Sequence, residues 1–216
     1  MKDIKTRDIK TERLDLRIPT MEEQKRLWEI LCNDDVNNLY FPTPDRIFNK
    51  NELDKSNIED AKKAREIFLS QLKDWERQEP FYEKKIVSIG NQDNSNKFTW
   101  SIFIKDTDTV IGQITCQPKS DEIESIRDVG WYIDPAYQGK GYATEAAKAM
   151  IDYMFTEVEI DEIRTSAATI NPASWKIMER LGFTYNGDYR STYFIDNEFL
   201  TCKKYNITRD EYLRGK

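Results

Sequence analysis

Residues 11 to 18, TERLDLRI, alternate charged positions with Leu14, Leu16 and Ile18, a two-residue period that predicts a strand with one buried face. The period then lengthens. Thr20 and Glu23 stand three apart ahead of Leu27, Ile30 and Leu31, so a capping box opens a helix over residues 21 to 32. Residues 39 to 46, LYFPTPDR, cannot continue it, because Pro42 and Pro44 each remove a backbone donor, and they read as an aromatic loop. Ile58, Ala61, Arg65, Phe68, Leu72 and Trp75 recur at three and four, which predicts a long helix over residues 58 to 77 closed by Pro80. The polar stretch 90 to 97, GNQDNSNK, reads as a flexible loop with strand material on both sides. Residues 98 to 104 and 109 to 117 suit an antiparallel hairpin around Asp106, Thr107 and Asp108, and a third strand ends at residues 129 to 133. Helices over 141 to 155 and 173 to 181 flank a strand at 163 to 168, strands follow near 184 to 194 and 198 to 207, and Thr208 with Glu211 offers a capping box for a short last helix. The class is mixed α/β in a single domain spanning residues 1 to 216.

Composition narrows the chemistry. With no histidine in 216 residues, Ser-His-Asp and Cys-His nucleophile systems, the H-E-x-x-H zinc site and imidazole proton shuttles are all excluded. Any base is a carboxylate, amine, phenol or water. The three cysteines, Cys32, Cys116 and Cys202, are far apart and form no C-x-x-C pair, so they read as reduced structural thiols. Lys and Arg number 33 against 39 Asp and Glu, giving a net charge of -6, and basic residues never run beyond pairs; no nucleic-acid partner is expected. Apolar runs are too short for a membrane span or a signal-peptide core, which makes the cytoplasm the expected location.

The segment 133 to 155, IDPAYQGKGYATEAAKAMIDYMF, joins the end of a strand to an amphipathic helix through a glycine turn. Gly139 and Gly141 permit conformations other residues resist, and open N–H groups at the helix start form an anion site to which Lys140 adds a cation. The turn lacks the third glycine of a dinucleotide fingerprint and the G-K-[ST] ending of a P-loop. It reads equally as an ordinary packing turn. Gln138, Gly139, Lys140, Gly141, Tyr142 and Ala143 do fit Q/R-x-x-G-x-G/A, the acetyl-CoA motif of the GNAT superfamily of N-acetyltransferases, which this chain resembles. Residues 171 to 183, NPASWKIMERLGF, resemble the family's N-x-x-S…G-F segment, although Asn171 and Gly182 also suit a helix cap and terminator. TERLDLRI and GWYIDP further resemble the branch of ribosomal-protein N-terminal alanine acetyltransferases.

The resemblance implies a GNAT-like fold: a mostly antiparallel twisted sheet flanked by helices, with a splayed parallel pair at the cofactor slot. It implies acetyl-CoA as cofactor, its pyrophosphate on the backbone amides of Gln138, Gly139, Lys140, Gly141, Tyr142, Ala143 and Thr144. The strand of Trp131, Tyr132 and Ile133 would run beside pantetheine, with Asn171 and Ser174 lining the other side. Many relatives donate a proton to the leaving thiolate from a tyrosine, but the matching residue here is Met178, which leaves Ser174 as the candidate donor; a thiolate with a pKa near 8.5 also departs without one. Asp128 stands where several relatives carry a Glu and is the candidate base, acting through water, unless it is only a solvated charge in an acidic stretch. Tyr40, Phe41, Trp100 and Trp131 would shape the acceptor pocket, whose amine could be a peptide N-terminus, a polyamine or an aminoglycoside, or they would simply pack. A monomer or homodimer is expected. The reading is an acetyl-CoA-dependent N-acetyltransferase; the alternative is a non-catalytic acyl-CoA-binding regulatory module.

Overall fold

A computed structural model of the chain describes residues 7–40, 45–91, 97–118, 125–195 and 198–215. β1 (Ile9–Lys10) and β2 (Leu14–Arg17) open it, and the alternation seen in the sequence buries Leu14 and Leu16 fully. α1 (Met21–Cys32) starts at the expected capping box, with Thr20 and Glu23 bonded reciprocally. α2 (Asp34–Tyr40), α3 (Asp45–Lys50), α4 (Ile58–Leu72) and α5 (Trp75–Asn91) follow before the chain enters β3 (Phe98–Ile104), β4 (Val110–Pro118) and β5 (Ile126–Ile133). A 3₁₀ turn, Pro135–Tyr137, leads into α6 (Tyr142–Thr156), β6 (Glu162–Ala168), α7 (Pro172–Arg180), β7 (Thr184–Ile195), β8 (Glu198–Thr208) and α8 (Arg209–Arg214).

The strands form one 8-stranded sheet ordered β1-β2-β3-β4-β5-β6-β8-β7. Neighbours are antiparallel except β5 and β6, which run parallel and pair only at Ile126 with Glu162, Arg127 with Ile163 and Asp128 with Arg164. Beyond Asp128 the two strands part. On one face α6 packs its stripe of Ala146, Ala147, Met150, Ile151 and Met154 against Trp100, Ile102, Ile114 and Trp131. On the other, Leu27, Ile30, Leu31 and Val36 of α1 and α2 meet Phe103, Val110 and Tyr132. A separate cluster ties α3 to α4 and reaches Phe199 of β8.

The helical insert departs from the sequence expectation. The aromatic loop proposed for residues 39 to 46 is in part helix, since Leu39 and Tyr40 end α2 and Asp45 begins α3, while 41–44 lie outside the described residues. The long helix of residues 58 to 77 is broken at Lys73, where Asp74 accepts the Arg77 N–H at 3.2 Å and starts a new helix. Pro80 does not close that helix but lies inside α5. It is tolerated because Pro80 and Glu76, whose carbonyl loses its helical donor, are both exposed to water. The helix takes in the residues before the polar stretch and Gly90 and Asn91 of the expected loop itself, where strand and loop were expected, while 92–96 lie outside the described residues.

Candidate active site

The strand-turn-helix expected around residue 140 is present. Gly139 at φ 75 and Gly141 at φ 82 both take the left-handed conformation that glycine adopts without strain, and Gly141 caps α6 with no side-chain hydrogen bond. The first bond of α6 is Glu145 N–H to Gly141 O at 3.0 Å, so the N–H groups from Gly139 to Thr144 find no acceptor among the described residues. They converge at the positive end of a helix, the arrangement that binds a phosphate. Gln138 is a correction: its N–H is spent on Pro135 O at 3.3 Å, and its side chain donates to Ile133 O at 2.9 Å to close the turn. Lys140 is another. Its ammonium folds back onto Ala136 O at 3.2 Å and over the Tyr137 ring, so its backbone N–H serves the cradle but its charge does not point in.

Two cavities meet at the parting of β5 and β6. One, of about 310 Å³, runs along the glycine turn past Ile133, Tyr142, Ala143 and Thr144. The other, of about 330 Å³, reaches Asp128, Gly130, Thr165 and Met178. Trp131, Asn171, Ser174 and Leu39 line both. Thr165 donates to Val129 O at 3.0 Å across the gap, and the alternation of a strand turns the main chain of Trp131 toward the same opening. Tyr132 lines the first cavity from the α1 face. Asn171 accepts the Ser174 N–H at 3.2 Å and donates from Nδ2 to Ser174 Oγ at 3.3 Å. That second bond occupies a lone pair of the hydroxyl and leaves its hydrogen to be given elsewhere. Asn171 thus caps α7 and orients Ser174 at once.

Asp128 is half-buried at the last β5–β6 pair and faces the second cavity. Met178 lies in the same wall, and its thioether has no proton to donate. Trp100 is a correction. It is 0% exposed, stacks against Phe98, meets Tyr153 edge-on, and donates its indole N–H to Arg7 O at 2.8 Å, so it is a core residue that lines neither cavity. Phe41 and the Tyr40 side chain lie outside the described residues. Tyr137, Asp35, Val36, Leu39 and Arg180 line the first cavity and were missed. Arg180 had a signal: it continues the spacing of Ser174 and Ile177 along one face of α7. The α2 residues had none, because a helix begun by Asp-Asp-Val-Asn-Asn carries little helix propensity. The thiols fit the expected structural role: burial pushes Cys32 up to about 11 and raises Cys116 and Cys202, away from thiolate chemistry.

Residues 13–184 match the family described as the acetyltransferase (GNAT) domain. The chain belongs to the GNAT acetyltransferase family. It is 30% identical over 129 residues, covering 60% of this chain and 74% of the other, to the uncharacterized N-acetyltransferase YnaD of Bacillus subtilis. Over 81 residues, 38% of this chain and 44% of the relative, it is 33% identical to spermidine N(1)-acetyltransferase of Escherichia coli K12. The solved ribosomal-protein-S5-alanine acetyltransferase of Vibrio fischeri shares the fold at a TM-score of 0.68 and 15% identity, over 95% of this chain and 98% of that one. Spermidine N-acetyltransferase of Vibrio cholerae, solved with CoA and spermine, does so at 0.68 and 18%, over 94% and 99%. This GNAT chain is an N-acetyltransferase, and its family takes the acetyl group from acetyl-CoA. Its open amide cradle and the cleft leading from it fit that cofactor.

Proposed function

We propose that this GNAT protein transfers acetyl from acetyl-CoA to a primary amine by direct attack on the thioester. The observation that carries the reading is the meeting of the two cavities at Trp131, Asn171 and Ser174, with the amide cradle at one end and Asp128 at the other. Bound there, acetyl-CoA supplies an activated acyl group on a thiol leaving group. The N–H groups from Gly139 to Thr144 hold its pyrophosphate, and the main chain at Trp131 polarises the carbonyl where charge develops. The second cavity admits the amine. Asp128 takes the amine proton through a water, which spans the reach a shorter carboxylate lacks. Ser174, held by Asn171, donates a hydrogen bond from its hydroxyl to the departing thiolate, which keeps its charge or takes up the proton shed by the amine, so the serine stays neutral.

A peptide N-terminus, a polyamine and an aminoglycoside all meet the charge requirement, since a net charge of -6 steers cations and Asp128 stands in the acceptor cavity. The test is thiol release from acetyl-CoA against N-terminal Ala and Ser peptides, polyamines and aminoglycosides, beside a calorimetric CoA titration. Acceptor-dependent release supports the reading and names the class. Tight CoA binding without transfer to any amine favours a regulatory acyl-CoA-binding role instead, and no CoA binding overturns the cofactor assignment.

A further inference from the structure

The opening TERLDLRI segment has no part in the transfer chemistry, yet it reaches the glycine turn. Thr11 and Arg13 lie between β1 and β2 and converge on Glu145 in the first turn of α6. The Thr11 hydroxyl donates to Glu145 Oε1 at 2.6 Å, and the Arg13 backbone N–H donates to the same oxygen at 2.9 Å. Arg13 Nε donates to Oε2 at 2.7 Å. Burial pushes the Glu145 carboxyl up, but these bonds and the guanidinium charge outweigh it and hold it below the usual carboxylate range. Glu145 thereby seats the guanidinium, which also lies over the Tyr142 ring at 4.8 Å. The remaining arm of the fork, Nη1, donates to Lys140 O at 3.0 Å. From the other face of the sheet Arg26 of α1 pairs with Asp134 at 2.5 Å, and Asp134 accepts the Ala136 N–H at 3.0 Å.

The Lys140 contact has a consequence for the cradle. In a planar trans peptide the carbonyl and the N–H of the next residue point in opposite directions, and the described backbone holds no cis bond. Arg13 draws the Lys140 carbonyl toward β2, so the Gly141 N–H is turned away from it, into the cleft. Glycine at 141 accepts either sign of φ at small cost, so by itself it leaves this peptide able to turn over and point its carbonyl at a phosphate. We infer that Arg13 is a positioning residue for the cofactor: it locks the Lys140–Gly141 peptide with its N–H inward, so that the anion cradle exists before the ligand arrives. The inference rests on the acetyl-CoA reading above. A preset donor array avoids the ordering cost of binding, and its benefit falls on the pyrophosphate, not on the thioester.

The test compares acetyl-CoA with acetyl-pantetheine, which carries the same thioester and no pyrophosphate. Arg13→Ala and Arg13→Lys are made; the lysine keeps the charge beside Glu145 but has no fork to span Glu145 and Lys140 O together. Calorimetry is expected to show CoA binding weakened by about tenfold in both, the loss of one charge-assisted hydrogen bond. The KM for acetyl-CoA rises to match while its kcat holds, and kcat/KM for acetyl-pantetheine moves by no more than about twofold. Should Arg13→Ala fail to fold, Arg13→Lys is read on the same scale. CoA affinity within about twofold of wild type in a folded variant overturns the inference. An equal loss with both thioesters also overturns it, since that marks general damage to the fold. A wild-type protein that binds no CoA overturns the cofactor reading and this inference together.

Discussion

Asn171 separates a structural role from a chemical one, because its two hydrogen bonds can be removed singly. The Oδ1 bond to the Ser174 N–H is a helix cap, and the Nδ2 bond to Ser174 Oγ sets which way the hydroxyl hydrogen points. Asn171→Ala removes both. Loss of the cap costs about 1 kcal/mol, which lowers Tm by about 2–4 °C in a chain of this size. Asn171→Asp keeps the cap acceptor but replaces the amide donor with a second acceptor, so Ser174 turns its hydrogen toward the carboxylate and away from the cleft. Stability then stays within a few tenths of a kcal/mol of wild type, because Asp and Asn cap about equally well. Turnover does not: if the hydroxyl assists the leaving thiolate, kcat falls by about tenfold, the loss of one hydrogen bond to a developing charge. The assay is thiol release at saturating acetyl-CoA and amine, with thermal unfolding of both variants and Ser174→Ala as the reference for a missing hydroxyl. Asn171→Asp with wild-type kcat refutes the argument and reduces Asn171 to a cap. A Tm drop in Asn171→Asp equal to that of Asn171→Ala refutes the division between the two bonds.

Three further outcomes are expected. Gly141→Val places a β-branched residue at φ 82, where the left-handed strain is about 1–2 kcal/mol, and its Cβ meets only Arg13 Nη2 at 3.4 Å; the fold survives while CoA binding is abolished, and a folded variant with unchanged affinity in calorimetry contradicts the cradle. Gly112→Ala is far worse for stability, because its Cβ would stand 2.2 Å from Tyr132 O, a backbone atom that cannot swing away; chemical denaturation should show a loss of about 3 kcal/mol, and less than about 1 sinks the reasoning. Burial, then the charge of Lys97, lowers Lys85 to about 8, so the folded chain sheds a proton that the unfolded chain keeps to about 10.4, and stability climbs with pH between those values. Lys85→Met should therefore gain on wild type by about 3 kcal/mol more at pH 7 than above about pH 10; an equal difference at both, in urea titrations, rejects it.

The sheet was legible from residue 98 onward because its strands and helices carry their own punctuation. Alternation marks β3 and β4, glycines mark the start of α6, and Asn171 and Thr208 mark α7 and α8. The insert was not, for two separate reasons. Asp74 restarts a helix with a single side-chain bond that leaves the apolar spacing through Trp75 unbroken, so periodicity runs straight across the break. The exposed Pro80 then reads as a stop although water satisfies what it strands. At the site, pattern located the cradle but could not assign hydrogen bonds. Whether the Gln138 N–H or the Lys140 ammonium faces a ligand depends on where Pro135 O and Ala136 O lie, and only the folded turn decides that. Trp100 shows the opposite failure. An aromatic residue in a strand is equally suited to core and pocket, and here its face of β3 turned toward α6.

The short parallel seam between β5 and β6 divides the sheet into a half built on β1 to β5 and a half built on β6 to β8, stitched by a few residue pairs and the Thr165 hydroxyl. A sheet opens first where its ladder is thinnest. Trp131 and Asn171 line the cavities at that opening, so under the proposed function a ligand lodged between them is mortar between two slabs as well as a reactant. On that reading occupancy braces the seam, and the expected outcome is that hydrogen exchange along β5 and β6 slows as CoA is added. At a hundred times its dissociation constant such a ligand raises global stability by about 2.7 kcal/mol. Under the proposed function the turnover cycle is also a cycle of cohesion, in which each release of product returns the two slabs to their few ladder pairs before the next cofactor binds.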